Sequence, residues 1–265
     1  MTELQKRLAV SVVFIPVILA AMWFGGATLV AVFALVVLLG CSEYITMLRN
    51  VRIRLDWLWL AVALAAYFSL VLFPGSDILA FWLIFALVLL SALFRWDKDR
   101  SLPQAALVLF GLFYTAVLPA LVVRLGLGHP PTRILFWLVI LIWCADSAAY
   151  FVGMKWGRHR NILPMSPNKS WEGFIAGVLA PFIIVVILSC VRLVDDIAVF
   201  LLSAFAAGIV GQAGDLAESM LKRFCGVKDS SNLIPGHGGI LDRSDSIILA
   251  GSFLYCALII FEKVR

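Results

Sequence analysis

Charge is what this chain has least of. Only 14% of its 265 residues are Asp, Glu, Lys or Arg, against 63% that are hydrophobic, and the mean hydropathy is +1.04. A soluble domain is about half apolar and about a quarter charged. The sequence therefore lacks the polar surface of a soluble globule, and its surplus apolar side chains must face lipid. Clustered thiols are missing too. Cys41, Cys144, Cys190, Cys225 and Cys256 are scattered, with no Cys-x-x-Cys and no Cys/His group. That excludes a thiolate zinc site or a disulfide framework and leaves small buried hydrophobes. There is no low-complexity tract and no repeat of solenoid period. No basic stripe interleaved with aromatics is present, so the net charge of +5 does not point to a nucleic-acid partner. The apolar run after Lys6 and Arg7 has no small-residue cleavage site and leads straight into another apolar run, which argues against a cleaved signal peptide.

What is present is one long apolar run after another. A bilayer core of roughly 30 Å takes about 20 apolar residues per helix, and about nine such stretches can be counted. They are 8–24, 27–47, 56–73, 77–94, 104–125, 134–153, 172–190, 197–217 and 246–262, with a tight hairpin expected at Gly25-Gly26. The fold class is therefore all-α, a polytopic transmembrane helical protein. With the N-terminus inside, every Lys and Arg falls on a cytoplasmic segment except Arg124, Arg133, Arg192, Lys263 and Arg265. That asymmetry orients the chain by the positive-inside rule. The chemically interesting residues concentrate in two cytoplasmic segments, Lys155 to Glu172 and Glu218 to Asp245. Residues 1–103 read as scaffold helices, and 104–265 as the catalytic region of one integral unit.

The most informative stretch runs from Asp215 to Asp245. Asp215, Glu218, Ser219 and Lys222 are spaced i, i+3, i+4, i+7 and line one helix face. Cys225-Gly226 is where that helix should end, since glycine commonly follows a helix C-terminus. Then come Lys228, Asp229, the run Pro235-Gly236-His237-Gly238-Gly239, and Leu241-Asp242-Arg243-Ser244-Asp245. The glycines offer backbone N–H groups and close approach. Asp215, Asp242 and Asp245 come from the ends of two helices and can converge as oxygen ligands of the kind Mg²⁺ takes. Lys222, Arg223, Lys228 and Arg243 supply cations for phosphate oxygens. Each residue alone has a plainer explanation. Lys222 and Arg223 suit a helix C-terminus, Asp242 suits a helix N-cap, and His237 suits a loop. Nothing structural asks for all of them in one membrane-surface loop.

A second constellation spans Asp146 to Glu172. Asp146 lies inside an apolar helix, where an acid is either functional or an interhelical hydrogen-bonding group. Lys155, Arg158, His159 and Arg160 read mostly as interfacial anchors. In Ser166-Pro167-Asn168-Lys169-Ser170-Trp171-Glu172-Gly173, Ser170 is a natural N-cap. A helix N-terminus attracts anions, so Lys169 beside it reads as a phosphate contact.

At these residues the sequence resembles the phosphatidate cytidylyltransferase family, the CDP-diacylglycerol synthases. Its signature is Ser-x-x-Lys-Arg, four residues, Lys-Asp, then His-Gly-Gly and Asp-Arg-x-Asp. It stands here as Ser219 to Arg223, Lys228-Asp229, His237-Gly238-Gly239 and Asp242 to Asp245, with every spacing kept. The resemblance covers mainly 140–250. Ser244 departs from a usual apolar residue or Thr, and Asp146-Ser147-Ala148-Ala149-Tyr150 from a usual Asp-Thr-Gly-Ala-Tyr. The resemblance implies Mg²⁺-dependent transfer of CMP from CTP to phosphatidate with release of pyrophosphate. It also implies a homodimer in the inner cell membrane, an active site on the cytoplasmic side, and Asp215, Asp242 and Asp245 as ligands of Mg²⁺ with room for a second cation. In the expected mechanism Lys222, Arg223, Lys228 and Arg243 contact phosphates. His237 and the glycines shape the nucleotide pocket and Lys169 holds the lipid phosphate; Asp229 counts with the catalytic residues, and Ser170, Asp146, Ser219, Gly238 and Gly239 with the substrate-binding ones. The alternatives are a CTP-dependent polyprenol kinase, an ether-lipid cytidylyltransferase, a transporter using Asp146 and Asp215, and a purely structural membrane protein.

Overall fold

The computed structural model describes residues 16–53, 55–129, 133–161, 163–194, 196–234 and 238–264. Its described residues form helices joined by loops, with no strand and two isolated antiparallel bridges, Arg160 to Ser170 and Ile234 to Gly238. A helix is described from residue 16 to 24. After a break at Gly25-Gly26 follow α1 (Gly26–Asn50), α2 (Leu58–Leu72), α3 (Asp77–Phe94), α4 (Ser101–Gly128), α5 (Ile134–Trp156), α6 (Trp171–Cys190), α7 (Ile197–Phe224) and α8 (Leu241–Val264). All except α2 are long and apolar enough to cross a bilayer, and α2 is a shorter apolar helix. The protein is thus an all-α integral membrane protein. The first expected span, 8–24, lies partly outside the described residues. Both glycines of the break have positive φ, 64° and 58°.

Two helices run further than hydropathy suggests, because one end of each is polar. Helix α7 continues to Phe224 and stops where Gly226 takes a φ of 69°, a left-handed conformation open to glycine. Helix α8 begins at Leu241, so that Asp242 and Asp245 lie within it rather than before it. A π-helical turn interrupts α4 at Phe113–Val117 and α7 at Ala206–Gly211. The first precedes Pro119, which has no N–H and crowds the carbonyl one turn back. At the second, the Gln212 side-chain amide donates to the carbonyl of Gly208, within the widened turn, and to that of Phe174 on α6.

The chain divides into two compact units. One comprises the chain up to Arg124 together with 224–243; the other comprises 125–223 with 244–265. In the first, α1, α2 and α4 pack around buried tyrosines. Tyr44 Oη donates to Leu107 O at 2.7 Å and Tyr67 Oη to Val30 O at 2.8 Å. One turn from Tyr67, Arg124 of α4, 8% exposed, donates to Leu70 O and to both carboxylate oxygens of Asp77 at the start of α3. In the second unit, α5 and α6 pack side by side, with α7 against both.

Candidate active site

The second unit carries the acidic residues. The Asp215, Glu218 and Asp245 side chains each present an oxygen within 4.8 Å of the others. Asp215 and Glu218 are one turn apart on α7, and Asp245 comes from α8. The helices approach closely at Gly214, where a Cβ would lie 2.7 Å from Asp245 O. Glu218 is 1% and Asp245 8% exposed. Carboxylates this close and this dry repel strongly unless cations accompany them. Two lysines do. Lys222 Nζ lies 2.6 Å from Glu218 Oε2, and Lys169 Nζ lies 2.5 Å from Asp215 Oδ2. Asp146, on α5, feels the charges of Asp215 and Lys169, and Asp245 feels those of Asp215, Lys222 and Asp146. The intramembrane Asp146 is thus part of the same electrostatic group. A hard divalent ion suits such an all-oxygen donor set.

The loop that delivers Lys169 is ordered by its own bonds. Ser170 caps α6, its Oγ accepting from Gly173 N at 3.2 Å. His159 Nδ1 lies 2.6 Å from Glu172 Oε1, and Trp171 N donates to His159 O. Arg160 donates to the carbonyls of Gly153 and Gly157 at the C-terminus of α5, a fixed role beyond interfacial anchoring. Arg223 Nε donates to Met165 O at 3.3 Å, so that this basic residue ties α7 to the loop.

In the first unit, Ser230, Ser231 and the residues Gly239 to Leu241 are gathered on two carboxylates. Asp242 Oδ2 accepts from Ser230 N at 2.8 Å, Ser230 Oγ at 2.7 Å and Gly239 N at 2.8 Å. Asp242 is not among the clustered acids, and Glu218 stands there with Asp215 and Asp245. The N–H of Gly239 is directed to that carboxylate. Gly238 has φ of 84°, and a Cβ on it would lie 2.7 Å from Asp242 Oδ2. Lys228, Asp229 and Arg243 are exposed, and Ser219 is half-buried on α7. His237, expected in the nucleotide site, lies outside the described residues.

The second carboxylate is Glu43 of α1, within the stretch expected to be scaffold. It is 4% exposed and accepts from Ser230 Oγ, Ser231 Oγ, Ile240 N and Leu241 N. Its signal is in the sequence: it is the lone acid of α1, and it meets the criterion that singled out Asp146.

Comparison with known proteins bears on this arrangement. The family model described as Cytidylyltransferase family matches residues 5–261. A phosphatidate cytidylyltransferase of Brucella suis is 35% identical over 271 residues, covering 99% of this chain and 96% of its own. One of Synechocystis is 33% identical over 289 residues, 98% of each chain. One of Bacillus subtilis is 33% identical over 216 residues, 80% of this chain and 78% of its own.

Proposed function

Because the chain belongs to the cytidylyltransferase family, we propose that it transfers CMP from CTP to phosphatidate, forming CDP-diacylglycerol and releasing pyrophosphate. The observation that carries this reading is the meeting of Asp215, Glu218 and Asp245, with Lys169 and Lys222 bonded to two of them, at the polar ends of membrane helices. Phosphatidate already carries an anionic phosphate oxygen at neutral pH, so the reaction needs no strong base. That oxygen attacks the α-phosphorus of CTP, the bond from this phosphorus to the bridging oxygen breaks, and pyrophosphate leaves with the electron pair.

The obstacle is repulsion between two phosphate groups, and the protein must supply positive charge where they meet. Asp215, Glu218 and Asp245 would hold Mg²⁺, which when bound neutralises phosphate charge and aligns the leaving group. Their oxygen donors, mutual distance and burial fit such an ion. Lys169 and Lys222 are flexible ammonium groups within reach of the same acids and serve as phosphate clamps. Arg223 holds the Lys169 loop, and Lys228 and Arg243 are exposed cations. Asp242, expected as a metal ligand, is read here as the internal acceptor of the glycine-rich segment, since its Oδ2 already takes three donors.

The cytoplasmic orientation in an inner membrane is supported by the Lys and Arg distribution. The homodimer is supported by the family resemblance. The test is an assay of the full chain in detergent with CTP and phosphatidate. Mg²⁺-dependent pyrophosphate and CDP-diacylglycerol are expected, both abolished by a chelator and restored by added Mg²⁺. Release of CDP with a phosphorylated lipid would overturn the reading in favour of a kinase.

A further inference from the structure

We propose that Glu43 is a positioning residue that holds two arms of the glycine-rich segment, 230–234 and 238–241, in the arrangement that receives the nucleotide. This rests on the reading of the protein as a CTP-using enzyme. Four donors converge on the Glu43 side chain. Oε1 accepts from Ser231 Oγ at 2.7 Å and Ile240 N at 2.9 Å; Oε2 accepts from Leu241 N at 3.0 Å and shares the single Ser230 Oγ proton, also at 3.0 Å, with Asp242 Oδ2 at 2.7 Å. Each arm thus contributes two donors, and one carboxylate closes both. A buried acid on an apolar helix is costly, and four donors offset that cost. Ile240 and Leu241 open α8, where backbone N–H groups have no intrahelical acceptor. A carboxylate there also faces the positive end of the helix dipole.

The surrounding residues are shaped to this carboxylate. A Cβ on Gly239 would come within 2.5 Å of both Glu43 oxygens and still closer to Ser230 Oγ. The second glycine of the His-Gly-Gly motif is therefore needed for the carboxylate of α1 to reach the segment. Gly40, three residues before Glu43 on the same face of α1, does likewise for Leu241, whose Cδ2 would lie 2.9 Å from an added Cβ. A buried acid serving helix packing alone asks for neither glycine. The bridge from Ile234 N to Gly238 O at 2.9 Å then joins the two arms.

The test compares wild type with Glu43→Gln and Glu43→Asp in the full chain. Gln keeps the volume but turns an amide NH₂ toward two donors. The expected result for E43Q is a CTP KM raised about tenfold or more, as the loss of two hydrogen bonds implies, with phosphatidate KM within about twofold. Amide exchange at Ile240 and Leu241 should quicken while α5 and α6 stay protected, and E43D should restore part of the CTP affinity. Unchanged CTP KM and unchanged exchange would overturn the proposal. So would equal losses for both substrates with exchange rising along the whole chain, the mark of a packing role. If wild type itself forms no CDP-diacylglycerol, the proposed function falls, and amide exchange with and without CTP decides the positioning role separately. CTP protection of 238–245 in wild type and its loss in E43Q supports the role; no difference between them overturns it.

Discussion

Lys169 Nζ lies 2.5 Å from Asp215 Oδ2, joining the residue before the α6 N-cap to the acidic face of α7. The pair ties a loop cation to the acid cluster by a single contact that is partly open to solvent, with side chains 28% and 38% exposed. Its counterpart on α7, Lys222 with Glu218, is far drier at 12% and 1%. One cluster thus contains two lysine–carboxylate pairs in different surroundings, and they should respond differently to removal of the lysine.

Lys169→Ala should lower stability by no more than about 1 kcal/mol, the worth of an exposed pair. Lys222→Ala leaves Glu218 buried beside two other acids and should cost on the order of 3–5 kcal/mol. Thermal unfolding of both variants in the same detergent gives the comparison. If the two ranked in reverse, the assignment of Glu218 as a buried charged partner of Lys222 would be wrong.

Removing a metal ligand costs at least as much as removing the groups that orient one, so Asp215→Asn and Glu218→Gln should each reduce turnover about 100-fold or more. Each should also weaken binding of Mn²⁺, used as a spectroscopic probe. Asp242→Asn should instead keep Mn²⁺ affinity within a few-fold and weaken CTP binding, because its acceptor oxygen serves Ser230 and Gly239. Loss of the Mn²⁺ signal in D242N would return Asp242 to the ligand set.

Gly239→Ala forces a methyl group against Ser230 Oγ and the Glu43 carboxylate. Overpacking of this kind costs about 1–3 kcal/mol, and the segment can shed it by moving. The expected outcome is weakened CTP affinity with a smaller change in melting temperature. Calorimetric titration with CTP and a melting curve of the same preparation measure both. A variant with wild-type CTP affinity would show that the close approach is dispensable.

Much of this protein is written in its local sequence. Composition and run length identify the membrane helices, and the spacing Asp215, Glu218, Ser219, Lys222 marks one face of α7. Ser170 caps its helix through its hydroxyl, and Gly226 follows the end of another because it has no Cβ to oppose a positive φ. These are short-range consequences of helical geometry and of the dielectric around the chain. Partner choice among the acids is not of that kind. The sequence groups Asp242 with Asp215 and Asp245 and shows Glu218 only as one more residue on the α7 face, and it is the packing of α8 against Gly214 that brings Asp245 to Glu218 and Asp215. Likewise, nothing near residue 43 announces that its carboxylate closes a segment nearly two hundred positions away. Periodicity says which face of a helix is polar; the rotation and axial offset between helices, set by close packing, decide which polar groups meet.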